Sequence, residues 1–374
     1  MLFRSQLFNP GHCIALAPLG RGLLLKDRGA FYNGIQTGDY PRFGRSHFEL
    51  PDISESWTLQ QSTVEESTEY GGCSKILLWE DGAGSLVQYV REKLGGSTGA
   101  WLRGQEIWGR KGILVSAMRD LPCSLYTGQA FDDNSVAIIP GDDADLAALL
   151  AYCSSAEYSI NVRKISPALK VRGPLVEVPF EAERWADVAS IRYPNGLPCP
   201  YSDDPTQWLF HGHPRPSTEP LQVAVARLLG YQWPVETGHA AGLLGDDGLE
   251  WANRSSALAD HADNDGIVCL PAVRGESAAH QRLRALLASA FAEGWESGKE
   301  RELLLASAVA NGARKPEANL EDWLKHTFFI DHCRVFQNRP FIWQVWDGNP
   351  NGFSALVNYH KLAAPNGQGH KTLE

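Results

Sequence analysis

The ten residues Gly34-Ile35-Gln36-Thr37-Gly38-Asp39-Tyr40-Pro41-Arg42-Phe43 hold two glycines, an acid, an arginine and two aromatic rings. Gly34 and Gly38 accept positive φ, and Pro41 disfavours helix at Tyr40. The segment therefore predicts a sharp, exposed turn carrying Thr37 and Asp39, with Arg42 and Arg45 just beyond it. A carboxylate this close can hold a guanidinium in place, and a fixed guanidinium suits a phosphate or a base edge. Ordinary Gly/Asp/Pro turns between strands use the same residue types, so the segment taken alone leaves both readings open.

Further cations gather in two stretches. Between Arg91 and Arg119 stand Arg91, Lys93, Arg103, Arg110, Lys111 and Arg119, against Glu92 and Glu106. Between Arg163 and Arg172 stand Arg163, Lys164, Lys170 and Arg172, with no acid. The formal charge of the chain is −10, which argues against a general nucleic-acid binder. The distribution allows a basic DNA face on an acidic body, and equally a scatter of surface bases.

Other chemistries have weaker support. The seven cysteines are widely spaced and form no Cys-x-x-Cys pair, so a zinc site is not expected. An odd count without a secretory signal points to reduced thiols in a cytoplasm. The apolar patch within Met1 to Pro10 is too short for a signal core or a membrane span. His211-Gly212-His213 has no third ligand at a metal-binding spacing and reads as a loop pair. His326 and His332 do not share a helix face and read as partly buried helix residues. The Gly95–Gly99 run lacks the Gly-Lys-Ser/Thr of a phosphate loop, and no Gly-x-Gly-x-x-Gly, Gly-x-Ser-x-Gly or His-Glu-x-x-His occurs.

The elements that would position these residues follow from periodicity. Val87, Val90 and Leu94 fall at helical spacing. Ile113–Met118, a run bounded by Pro122 and Gly128, and Val136–Pro140 read as strands of a twisted, mainly antiparallel sheet. Asp142 or Asp143 then caps a helix with Leu146, Leu149, Leu150 and Cys153 on one face. Ser159–Lys164 reads as a basic connector. Seven prolines between Pro194 and Pro220 predict a linker, because proline cannot sustain regular structure. Helices follow at 220–230, 281–294, 301–310 and 320–336, the last capped by Asn319. Phe341 to Leu362 reads as a hairpin around an Asp347–Gly352 turn. The expected fold is α+β: a strand-rich domain over 1–190, a proline-rich linker over 191–220, and a mostly helical domain over 221–374 with a terminal hairpin.

The order of features resembles the target-recognition and C-terminal region of large adenine-specific DNA methyltransferases, the fused Eco57I-like (type IIG) restriction–modification enzymes and the BREX-type methylases. The resemblance rests on the Gly-Ile-x-Thr-Gly-Asp-x-x-Arg-Phe segment at Gly34–Phe43 and on Arg339-Pro340-Phe341-Ile342-Trp343-Gln344-Val345-Trp346-Asp347-Gly348, followed by Gly352–Leu362. The Leu175-Val176-Glu177-Val178-Pro179-Phe180 run fits the close of the family's recognition domain. The resemblance covers about Asn33 to His370, and its middle part matches weakly. The family methylates adenine through an Asn/Asp-Pro-Pro-aromatic loop, whereas the Asn-Pro steps here, Asn9-Pro10 and Asn349-Pro350, lack the second proline and the aromatic. The resemblance thus implies a DNA-recognition part that is not catalytic alone and holds no cofactor or metal. Its partners would be double-stranded DNA and an adenine-specific methyltransferase chain that carries S-adenosylmethionine, with no membrane. The DNA-facing residues it implies are Thr37, Asp39, Arg42, Arg45, Arg103, Arg110, Lys111, Arg163, Lys164, Lys170 and Arg172. The alternative is a truncated, non-catalytic remnant or a structural, interaction protein.

Overall fold

The computed structural model describes residue 19, residues 22–349 and 352–364, and residue 369. The protein is α+β, with strands concentrated in the N-terminal half and helices in the C-terminal half. It divides into two compact units: Met1–Arg45 with Ser54–Pro200, and Ser46–Ile53 with Tyr201–Glu374.

The first unit is built on two sheets. The strands are β1 (Gly29–Asn33), β2 (Gly44–Ser46), β3 (Trp57–Gln61), β4 (Lys75–Leu78), β5 (Gly112–Ser116), β6 (Cys123–Tyr126), β7 (Ala130–Phe131) and β8 (Ser135–Pro140). One sheet runs β1-β8-β5-β6 and is antiparallel throughout, and the other runs β2-β4-β3-β7. Alternation along β5 explains why the first sheet is covered on both faces. Ile113 and Val115 enter a core with helices Leu146–Cys153, Ala156–Ile165 and Ala182–Arg192, while Leu114 joins Tyr126, Phe131 and Ala137 on the other side. Asp142 accepts a hydrogen bond from the Ala144 amide in the 3-10 turn ahead of the first of these helices. The expected connector at Ser159–Lys164 is instead the second half of helix Ala156–Ile165, capped by Ser155, whose side chain accepts from the Tyr158 amide. Tyr158 and Val162, one turn apart, are fully buried in the same core, so packing favours helix there.

The second unit is mostly helical, with helices at Pro220–Leu228, Asp246–Ser256, Ala279–Phe291, Lys299–Ala310, Leu320–His326 and Phe328–Val335. Asn319 caps the fifth by accepting from the Asp322 amide. The single helix expected over 320–336 breaks at Thr327, whose hydroxyl donates to Glu317 at 2.9 Å. The expected hairpin is present as β10 (Ile342–Trp346) and β11 (Ser354–Asn358), and β9 (Ile267–Cys269) adds a third antiparallel strand beside β11.

The proline-rich stretch is not a linker over its whole length. Pro194–Cys199 is mainly exposed, but Trp208, Leu209, Phe210 and His211 are fully buried within the second unit. The prolines exclude regular structure, and side chains supply the missing hydrogen bonds: Asp204 accepts from the Thr206 amide at 2.8 Å, and Trp233 Nε1 donates to the Pro205 carbonyl at 2.8 Å. His211 Nδ1 accepts from the His213 amide at 2.8 Å and His213 Nδ1 from the Arg215 amide at 3.1 Å, so both rings serve the local turn. His332 is fully buried rather than partly so, pairing through Nδ1 with Gln222 at 3.1 Å and accepting from the Ile342 amide through Nε2 at 3.2 Å.

Candidate nucleic-acid interface

The Gly34–Phe43 segment is stitched to a second turn that the sequence reading did not single out, Asp132-Asp133-Asn134. The Ile35 amide donates to the Phe131 carbonyl at 2.8 Å, and the Asp133 amide donates to the Ile35 carbonyl at 3.1 Å. The Gln36 amide donates to the Trp101 carbonyl at 2.9 Å. Both glycines are needed for contact. A Cβ on Gly34 would lie 2.3 Å from the Asp132 carbonyl oxygen, and one on Gly38, at φ +72°, would lie 2.3 Å from the Trp101 ring. This close packing buries Thr37 to 6 % exposure, against the expectation of an exposed turn residue. Asp39 is half-buried and holds no arginine in an ion pair among the described residues. Residues Tyr40–Phe43 form one helical turn despite Pro41, because proline is compatible with the first positions of a helix. Arg42 is exposed, its guanidinium 4.8 Å from the centre of the Phe43 ring and 5.5 Å from that of Tyr89. Arg45 is turned back on its own chain, donating to the Pro41 and Gly44 carbonyls.

Asp133 then gathers cations from a distant stretch. Its carboxylate accepts from Lys170 Nζ at 3.0 Å and from Arg172 Nη2 at 2.6 Å, and Lys170 also reaches Asn134 at 3.0 Å. Arg103 lies close enough to feel both Arg172 and Asp133. Its Nε and Nη2 are buried without a hydrogen-bond partner among the described residues, as is Nε of Arg172. Burial, and then the neighbouring Arg172 charge, lower the Arg103 pKa. Asp132 is pushed the other way: burial, reinforced by the Asp133 carboxylate, raises its pKa, although it accepts from the Ser62 hydroxyl and the Asn134 amide. Lys170 and Arg172 therefore share the Asp133 carboxylate, and Arg103 lies near it without forming an ion pair among the described residues. The cluster carries a net positive charge with unfilled donors.

Neither the protein-family models nor the curated proteins give a match to this chain.

The remaining expected residues divide by position along β5. The Val171 amide donates to the Ala117 carbonyl and the Ala117 amide to the Asn134 carbonyl, which sets Lys170 and Arg172 at the C-terminal end of that strand. Arg163 is at this end too, but its guanidinium is spent on the Ala168 and Arg119 carbonyls. Lys164 donates to Asn161 on its own helix at 3.2 Å. Arg110 and Lys111 are exposed and precede the N-terminal end of β5, on the order of 15 Å along the strand from the cluster. They make no side-chain hydrogen bond among the described residues. The structure thus joins the Gly34–Gly38 turn to Arg103, Lys170 and Arg172, and separates these from Arg110 and Lys111. Asp132, Asp133 and Trp101 were missed. The Asp-Asp-Asn triplet is a turn signal, but nothing local links it to residues 170–172.

Proposed function

We propose that this protein is the DNA-recognition part of an adenine-specific DNA methyltransferase or of a restriction–modification or phage-defence system, acting with a separate methyltransferase chain. The observation that carries this reading is the convergence of the Gly34–Gly38 turn with Arg103, Lys170 and Arg172. The motif that resembles the methyltransferase recognition region and a cluster of three cations are held by one pair of turns. Arg103 supports it further as a partly exposed cation beside Arg172 and Asp133. In this reading Arg103, Lys170 and Arg172 hold backbone phosphates and set the register. The exposed Arg42 meets base edges, and the partner chain does the chemistry on adenine.

The test is duplex binding by the full chain together with its methyltransferase partner. Arg103→Ala should weaken binding to all duplexes alike and make the slope of log affinity against log salt shallower by about 0.9. Arg42→Ala should instead cost about 1–3 kcal/mol of discrimination between cognate and random duplex. Unchanged affinity and salt slope for Arg103→Ala would refute a phosphate role for the cluster.

A further inference from the structure

Helix Ser85–Lys93 of the first unit buries Leu86, Val87 and Val90 in one core with Ile35 and Phe43 of the Gly34–Phe43 segment. That shared core sets Tyr89, half-buried on the helix, beside Arg42. The Tyr89 and Phe43 ring centres are 5.3 Å apart, with the planes tilted by 47°. The Arg42 guanidinium lies over both rings, and Lys93, one turn on from Tyr89, brings its Nζ to 5.5 Å from the Tyr89 ring centre. Arg42 and Lys93 are exposed, and the side chain of neither makes a hydrogen bond or an ion pair among the described residues. An exposed arginine ordinarily sweeps many rotamers or spends its donors on a nearby acid. Here cation–π attraction holds the guanidinium and leaves its N–H groups unspent, because an aromatic face offers no lone pair.

A held, planar fork of donors has one distinctive partner in duplex DNA. Guanine presents two acceptors, O6 and N7, side by side in the major groove. Adenine and cytosine put an amino donor there, and thymine a carbonyl beside a methyl group, so none of them fills the fork. A backbone phosphate also fills it. Yet a flexible point charge such as Lys93 meets a phosphate as well, so holding the arginine gains nothing there. We infer, on the DNA-recognition reading proposed above, that Arg42, held in place by Tyr89 and Phe43, reads a guanine of the target duplex, while Lys93 takes a neighbouring backbone phosphate. Tyr89 touches no base in this arrangement and is a positioning residue.

A pool of duplexes randomised in sequence, selected on the full chain alone and with its methyltransferase partner and then sequenced, tests this. The wild-type chain should enrich a motif in which one position favours guanine at least about fivefold, the lower end for a bidentate pair. Tyr89→Leu should cut that preference to about twofold or less while the other positions stay selected, and Tyr89→Phe, which keeps the ring, should restore it. General unfolding would weaken every position together, so loss at a single position is the signature. Arg42→Lys should lose the same guanine, and it decides the matter if Tyr89→Leu fails to fold. Lys93→Ala should leave the guanine selected and make the slope of log affinity against log salt shallower by about 0.9. A motif without an Arg42-dependent guanine, or a guanine that survives Tyr89→Leu, overturns the roles given to Arg42 and Tyr89 and leaves the DNA-recognition reading standing. An unchanged salt slope in Lys93→Ala overturns the phosphate contact. Absence of any duplex binding overturns the DNA-recognition reading and these roles together.

Discussion

Four buried histidines should make the second unit sensitive to mild acid. Burial holds His211 and His332 down to about 3, and His213 and His360 to about 4. For His211 the neighbouring His213 and Arg227 add to the effect, and for His213 the guanidiniums of Arg227, Arg254 and Arg215 do. In the unfolded chain each ring takes up its proton near the ordinary value of about 6.5. The unfolded state therefore binds more protons below about pH 6.5, and stability is full above that value and falls as pH drops. Between pH 7.5 and 5.5 each ring should contribute a loss of about 1.3 kcal/mol by proton linkage, or about 5 kcal/mol for the four. That is a large share of the roughly 5–15 kcal/mol typical of a folded domain. Glu219 and Glu236, both raised by burial, oppose the trend in the window above their ordinary range, where only the folded state holds the proton. Urea unfolding followed by tryptophan fluorescence at pH 7.5, 6.5 and 5.5 measures the effect. His332→Gln should reduce the pH dependence by about a quarter, whatever it does to absolute stability. A change of less than about 1 kcal/mol between pH 7.5 and 5.5 would show that these rings protonate freely in the native state, which refutes the reasoning.

Two further outcomes test the architecture. Gly38→Ala should destabilise the first unit by about 1–3 kcal/mol in urea unfolding, because a Cβ there is strained at φ +72° and meets the Trp101 ring at 2.3 Å; a neutral substitution would contradict the packing of this turn. Limited proteolysis with a nonspecific protease should cut first within 194–200 and leave 204–213 intact, since the former is mainly exposed and the latter carries fully buried side chains; early cleavage in 204–213 would restore a full-length linker.

The elements legible in the sequence were those set by near neighbours. The buried strand Gly112–Ser116, the Asn319 cap and the β10–β11 hairpin depend on residues a few positions apart, so periodicity and capping rules locate them. The candidate site was legible only in part. Arg103, Lys170 and Arg172 were in view as cations, but their meeting depends on Asp133, 37 and 39 residues from its partners Lys170 and Arg172, and no local pattern encodes such a pairing. The exposure of the Gly34–Phe43 turn was misread for the same reason. Glycine announces a tight bend, while only the folded chain shows Thr37 buried, between a Gly34 packed against the Phe131–Asp132 backbone and a Gly38 packed against the Trp101 ring. Proline in residues 201–220 likewise excludes regular hydrogen bonding without saying whether the chain is solvated. Trp208, Leu209 and Phe210 found a core, and Asp204 and the Pro205 carbonyl supplied local polar partners, so tertiary packing decided what propensity left open. The outer face of β9-β11-β10 shows both contributions. Alternation assigns Trp343 and Val345 to one face of a strand, but only the folded sheet shows that this face is left open as an apolar hollow.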